Sequence, residues 1–197
     1  MILEALVTTV DPDGKPHLAP MGPHLLGEHT DQRLSEFELR PFETSTTCVN
    51  LERTGQGVLH IDDDVGRFVD AAIGNSSPLP PVRPARHVTG WILESACRSF
   101  EFEVRHTDAS QPRRRLQCRV LDYHRHRDFF GFNRAKHAVL EGAILATRIQ
   151  FLPGELIDQR WIPLQEAVEK TGGASEREAF ARLTEYIAEA CREQNRG

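Results

Sequence analysis

Long apolar runs are missing from this 197-residue chain, so the sequence offers no helix able to cross a bilayer. Closely spaced cysteines are missing too. Cys48, Cys97, Cys118 and Cys191 are widely scattered, which excludes a zinc or redox motif built on neighbouring thiols. Four free thiols fit a reducing compartment. Positive charge is not in excess: 24 Lys and Arg stand against 29 Asp and Glu, a net charge of -5. A general affinity for nucleic acid or for an anionic membrane is thereby excluded, although Arg113-Arg-Arg115 is locally basic. Neither a G-x-G-x-x-G nor a P-loop occurs, so a nicotinamide would have to bind without a Rossmann domain. No strained elbow surrounds a serine or cysteine, which leaves no legible Ser-His-Asp or Cys-His nucleophile. The apolar opening Met1–Val10 lacks a basic start and a cleavage site, so the expected location is the cytoplasm.

What is present is a dense cluster of hydroxyls. In Arg40-Pro-Phe-Glu-Thr-Ser-Thr-Thr-Cys-Val-Asn-Leu51 an arginine is followed by Thr44, Ser45, Thr46 and Thr47, where a helix should start. Four consecutive hydroxyl side chains are poor helix formers, because they compete with the backbone for hydrogen bonds. A helix start exposes unpaired N–H groups and a partial positive charge, and arginine adds a bidentate fork. Together these make a natural phosphate cradle. The plainer reading keeps Thr44 as an ordinary N-cap and leaves the others facing solvent. Asn50 lies one turn along the same face, either a ligand partner or a packing amide.

The periodicity gives a β-rich body followed by a helical tail. Ile2–Val10 and His17–Leu26 read as a hairpin around the turn Asp11-Pro-Asp-Gly-Lys-Pro16. Pro20 and Pro23 place the second strand at an edge or a bulge. Strands are expected at 34–39, 57–61, 91–94, 99–105 and 116–123, with a capped helix over 62–73. Gly55 and Gly57 should end the hydroxyl-rich helix. Alternation in Ser99–Arg105 turns Phe100, Phe102 and Val104 inward, and the polar flanks of Leu116–Tyr123 mark a sheet wetted on one side. The proline-rich stretch 74–86 reads as an irregular surface loop with no further core element. Six to seven strands suffice to close a small barrel. Helices follow over 133–151, 155–171 and 175–192, with Ser175 and Glu178 as a capping box after Gly172-Gly173.

Asn133-Arg-Ala-Lys-His137 is a second candidate site. Arg134, Lys136 and His137 place cations in a first turn whose dipole is already positive, which favours a bound anion there. Pairing with Asp128 or Glu141 is the structural alternative. On the anionic reading Arg134 and Lys136 hold the substrate, and His137 is a candidate proton donor. His17, His24, His29, His60 and the pair His124-x-His126 raise metal binding. No third ligand follows at a defined spacing, so no metal is expected.

Arg40-Pro-Phe with Ser45, Thr47, Asn50, Leu51, Gly55 and Gly57 carries a family likeness. So do Asp63-Asp64-Val65 with Phe68 and Ala71-Ala72, and Gly131-Phe-Asn-Arg-Ala-Lys-His-Ala-Val-Leu-Glu141. With these residues the chain resembles the FMN-binding split β-barrel (flavin reductase-like) superfamily, and within it the DUF447 family. The likeness spans nearly the whole chain. It implies an α+β fold, with an FMN-binding split barrel over 1–130 and a C-terminal helical extension over 131–197 packed on it. It also implies FMN at a homodimer interface, its phosphate on Arg40, Thr44, Ser45, Thr46 and Thr47, with Asn50 at the flavin edge. Met21-Gly22-Pro23 and His24 would then pass close to the isoalloxazine. The expected activity is FMN-dependent oxidoreduction of a small anionic substrate. The alternatives are a non-catalytic flavin carrier or sensor, or a split barrel holding a pterin or haem.

Overall fold

The computed structural model describes residues 1–27, 34–75 and 79–194. Nine strands occur among them: β1 Ala5–Val10, β2 Pro16–Met21, β3 His24–Leu26, β4 Glu36–Leu39, β5 Gln56–Ile61, β6 Val82–Pro84, β7 Trp91–Leu93, β8 Arg98–Asp108 and β9 Arg115–Arg125. The helices are α1 Thr46–Thr54, α2 Val65–Ala72, α3 Arg134–Ala146, α4 Gly154–Thr171 and α5 Ala174–Gln194.

The chain forms two compact units. The first is Met1–Asp62 with Pro78–Phe129, and the second is Asp63–Ser77 with Phe130–Gly197. Helix α2 thus groups with the C-terminal helices rather than with the strands that flank it in sequence.

Seven antiparallel strands make the sheet of the first unit, in the order β2-β1-β5-β8-β9-β4-β3. The hairpin turn forms as its residues dictate: Gly14 takes φ 78, and its N–H donates to Asp11 O at 2.9 Å. The single strand expected over 17–26 is two strands. Gly22-Pro23 interrupts it, β2 pairs with β1, and β3 pairs with β4 at the other end of the sheet. Leu3 N donates to Pro23 O at 3.1 Å and Leu25 N to Met1 O at 2.9 Å, so the two ends of the sheet meet. The sheet therefore curls towards closure, and Pro20 sits on an edge strand where no ladder donor is needed. The inner face packs Ala5, Val7, Phe37, Leu39, Leu51, Leu59, Phe100, Phe102, Leu116 and Cys118 into one core. Phe37 and Phe102 meet edge to face at 5.1 Å.

The expectation for 74–86 is corrected, residues 76–78 lying outside the described residues. Val82–Pro84 is a strand, and it pairs with β7 in a separate two-stranded sheet. This hairpin covers the outer face of the main sheet locally, where Val58, Val88 and Ile92 are buried together. The one-side-wet expectation for 116–123 holds at the start of β9, where Gln117 and Arg119 are exposed between buried Leu116 and Cys118. On β8 the hairpin covers that face instead. Ser99 and Glu101 are fully buried, and the sheet reaches solvent only further along the strand.

The second unit is helical. Val65, Val69, Ala135, Val139, Ile157, Val168, Phe180 and Leu183 belong to its core, with Trp161 stacked on Phe180 at 4.4 Å. Asp64 caps α2, accepting from Gly66 N at 3.1 Å. Helix α3 stops at Ala146, where Thr147 caps it, and residues 149–151 form a separate 3-10 turn. The expected capping box of Ser175 and Glu178 is replaced. Helix α5 starts at Ala174, and Glu176 reaches back to accept from Gly173 N at 2.9 Å. No described helix is long and apolar enough to cross a membrane.

Candidate functional site

Helix α1 starts one residue later than an N-cap at Thr44 would place it. Ser45 is the N-cap, in extended backbone, and its hydroxyl accepts from Cys48 N at 3.2 Å and donates to Phe42 O at 2.7 Å. Thr47, Cys48, Asn50 and Leu51 form the buried face, and Gly55 closes the helix at φ 66 with its N–H on Leu51 O. Gly57 has a different task. It lies in β5 against the Phe102 ring, where an added Cβ would meet Cζ at 2.8 Å.

The six expected cofactor residues divide accordingly. Thr44 and Thr46 are exposed at the helix start, and Ser45 is partly exposed with its hydroxyl engaged in capping. Thr47 and Asn50 are buried. The Asn50 amide donates to Thr9 Oγ1 at 3.0 Å and Asp11 Oδ1 at 2.8 Å, tying α1 to the first hairpin. Arg40 borders a hollow of about 480 Å³ lined by Phe42, Gln111, Pro112, Arg113 and Arg115.

This hollow is built by backbone pairing. Glu43 N donates to Pro112 O at 2.8 Å and Arg114 N to Pro41 O at 3.0 Å, which clamps the segment before α1 onto the β8–β9 turn. Arg113 lies over the Phe42 ring at 4.1 Å and donates to Arg40 O at 3.3 Å. Arg40 and Arg115 are both anchored on Glu38. Arg40 Nε lies 2.6 Å from Glu38 Oε1, and Arg115 Nε and Nη2 each lie 3.1 Å from Oε2. Burial would raise the Glu38 pKa, but the hydrogen bonds and charges of Arg40 and Arg115 outweigh it and hold the carboxyl below its ordinary value. Three guanidiniums against one carboxylate leave the hollow with two positive charges. Sequence reasoning noted Arg113-Arg-Arg115 only as a basic run. The hairpin closure that folds it back beside Arg40 had no local signature.

His24 lies opposite Glu38 in the β3–β4 register. Partial burial lowers its pKa, and the Arg40 charge adds to the effect. The Cys48 thiol is pushed up to about 11 by burial, with Glu52 adding to it, so it is no nucleophile. All four cysteines are free thiols.

The second candidate site lies in the helical unit. Asn133 caps α3, accepting from Ala135 N at 2.8 Å and Lys136 N at 3.2 Å, while its amide donates to Thr171 O at 3.1 Å. Lys136 is engaged within the unit: Nζ donates to Asp63 O at 2.7 Å and stands 3.8 Å from Asp63 Oδ2. Neither Asp128 nor Glu141 is that partner. Arg134 and His137 are exposed, the His137 ring stacked on Phe132 at 6.0 Å. Among the histidines, His29 lies outside the described residues, and His60 is buried with Nε2 accepting from Leu93 N at 3.0 Å.

Comparison with known proteins follows the same lines. Among solved structures, the FMN-bound protein MM1853 from Methanosarcina mazei, itself assigned to DUF447, superposes with a TM-score of 0.80 at 21% identity, covering 94% of each chain. A flavin reductase domain protein from Arthrobacter sp. FB24 matches at a TM-score of 0.53 and 12% identity, over 64% of this chain and 79% of that one. The 2-nitrobenzoate 2-nitroreductase NbaA from Pseudomonas fluorescens matches at 0.50 and 14%, over 61% and 63%. At such identities the likeness establishes the fold, an α+β split barrel with added helices. A search of curated protein sequences found no match. The profile described as "Protein of unknown function (DUF447) N-terminal domain" covers residues 3–127, and its companion "Protein of unknown function (DUF447)" covers 133–185. With both profiles matched in order along most of its length, the chain belongs to the DUF447 family.

Proposed function

We propose that this protein binds FMN through a phosphate seated in the arginine-lined hollow, and that it is a flavin-dependent oxidoreductase for a small anionic substrate. The carrying observation is the two-positive-charge hollow beside the start of α1. A phosphate monoester brings about -1.5 to -2 charges, and so complements it. Arg40 and Arg115 are held by Glu38 along their Nε edges, which leaves terminal N–H groups for the ligand. The Thr44 and Thr46 hydroxyls and the first-turn N–H groups of α1 add donors. Thr47 and Asn50 lie on the buried face of α1, which Asn50 ties to the first hairpin. The FMN-bound state of the Methanosarcina relative agrees with this ligand. A bound flavin would supply the electron transfer, and the protein its orientation and electrostatics. We assign Arg134 to the substrate's anionic group and His137 to a proton donor; Lys136, on Asp63, steadies that helix start. A homodimer sharing the flavin completes the reading.

Titration of the purified protein with FMN and with riboflavin tests the phosphate seat. FMN should bind at micromolar concentration or below. Arg40→Ala with Arg115→Ala should weaken FMN about 10- to 100-fold, the loss of one or two charge-assisted contacts, and leave riboflavin unchanged. Equal effects on both ligands, or no binding at tens of micromolar (~-6 kcal/mol), would remove the reading. Anaerobic NADH or NADPH then separates the activities: bleaching supports the oxidoreductase, and persistent colour a carrier or sensor.

A further inference from the structure

The outer face of the sheet under the β6–β7 hairpin holds a cluster that the flavin reading does not use. Glu101 on β8 stands opposite Asp122 on β9, and Ser99 stands opposite His124, so all four side chains share one face. A bulge between Glu101 and Phe102, which leaves Leu121 without a partner, sets this register. The Glu101 carboxylate is fully buried. Its oxygens accept from the backbone N–H groups of Arg86, at 3.1 Å, and His87, at 2.6 Å, which fixes its orientation. His124 Nε2 lies 3.1 Å from Asp122 Oδ2 and 3.6 Å from Glu101 Oε1. Though shielded from solvent, that nitrogen makes no hydrogen bond of sound geometry. The three donor atoms lie within 4.8 Å of one another. The His87 ring, exposed on the hairpin loop, approaches the same Asp122 oxygen at 3.2 Å.

We propose that Glu101, Asp122 and His124 form a site for a divalent first-row transition cation, with His87 as the recruitable fourth ligand. Ligands about 2.0–2.1 Å from a tetrahedral cation stand about 3.3 Å apart. The 3.1 and 3.6 Å separations at His124 fit that edge, and the second is too long for a hydrogen bond. The carboxylates of buried Glu101 and partly exposed Asp122 face each other and repel, and a dication between them removes the repulsion. The backbone donors from Arg86 and His87 are the outer support that a ligating carboxylate needs. An imidazole among the donors favours zinc-like ions over magnesium. His126, the other half of the His-x-His pair, is turned to Ser99 Oγ at 2.9 Å and is no ligand. The site would clip the β6–β7 hairpin to the sheet. The sequence expectation of no metal rested on ligand spacing, and the third donor comes from a strand more than twenty residues away.

The test is equilibrium dialysis of the tag-free, chelator-stripped full chain against zinc, with metal analysis and thermal melting. One zinc per chain and a higher melting temperature are expected. Asp122→Asn and His124→Ala should each weaken uptake at least tenfold, His87→Ala less, and His126→Ala not at all. Asp122→Asn is nearly isosteric and keeps the assay readable if His124→Ala does not fold. Absence of zinc uptake by the wild type, or equal loss in His126→Ala and His124→Ala, overturns the proposal.

Discussion

Glu38 shows how one buried carboxylate can organise a ligand surface. It is 2% exposed, lies between Arg40 and Arg115, and keeps both guanidiniums at the edge of the hollow. Its folded pKa is depressed, so the unfolded chain holds the proton more tightly. The stabilisation it gives is therefore present above the unfolded carboxylate value and lost as pH falls through the lower folded one. Glu38→Gln should cost about 1 kcal/mol at neutral pH, because both arginines are partly exposed and screened. It should also flatten the acid limb, so that denaturation from pH 6 towards pH 3 separates wild type and variant less and less. A constant gap across that range would show that Glu38 carries no depressed pKa. At this scale the sequence named Arg40 and the hydroxyls by type. It could not separate Thr44 and Thr46, exposed, from Thr47, buried, because four hydroxyls in a row carry no facing information until the helix start is fixed.

At the scale of elements, Gly55 and Gly57 looked alike in sequence and differ in physics. Gly55 adopts φ 66 with open space around a Cβ, so asparagine there should be nearly neutral. Gly57 has backbone any residue can adopt, but a Cβ would press on Phe102 at 2.8 Å and on Thr8 O at 3.1 Å. Gly57→Ala should destabilise by roughly 1–3 kcal/mol, the usual range for overpacking. Thermal melting beside Gly55→Asn checks this, and a reversed order would show that the core yields at Phe102. The run His17–Leu26 and the stretch 74–86 misled for related reasons. Gly22-Pro23 reads as a kink inside one strand, yet it hands the chain from one end of the sheet to the other. Val82–Pro84 is too short to show periodicity and is a strand only because β7 lies beside it.

For the whole molecule, the proposal that the flavin is shared calls for two chains. The first unit leaves Phe42 exposed, and the second leaves Phe130 and Phe132 exposed. Light scattering at micromolar concentration should give twice the 22.3 kDa chain mass. A monomer would leave FMN binding testable and remove the shared site. By itself the sequence determined the order and type of most elements and the chemistry gathered before α1. Those follow from local propensity, capping and the spacing of apolar residues. Only the tertiary structure decided which charges meet. Arg113 and Arg115 reach Arg40 through strand pairing across more than seventy residues, and Glu101, Asp122 and His124 share a face because a bulge sets the register. Long-range register leaves no periodic trace in a single chain, because it is fixed by burial and backbone pairing that exist only once the sheet has closed.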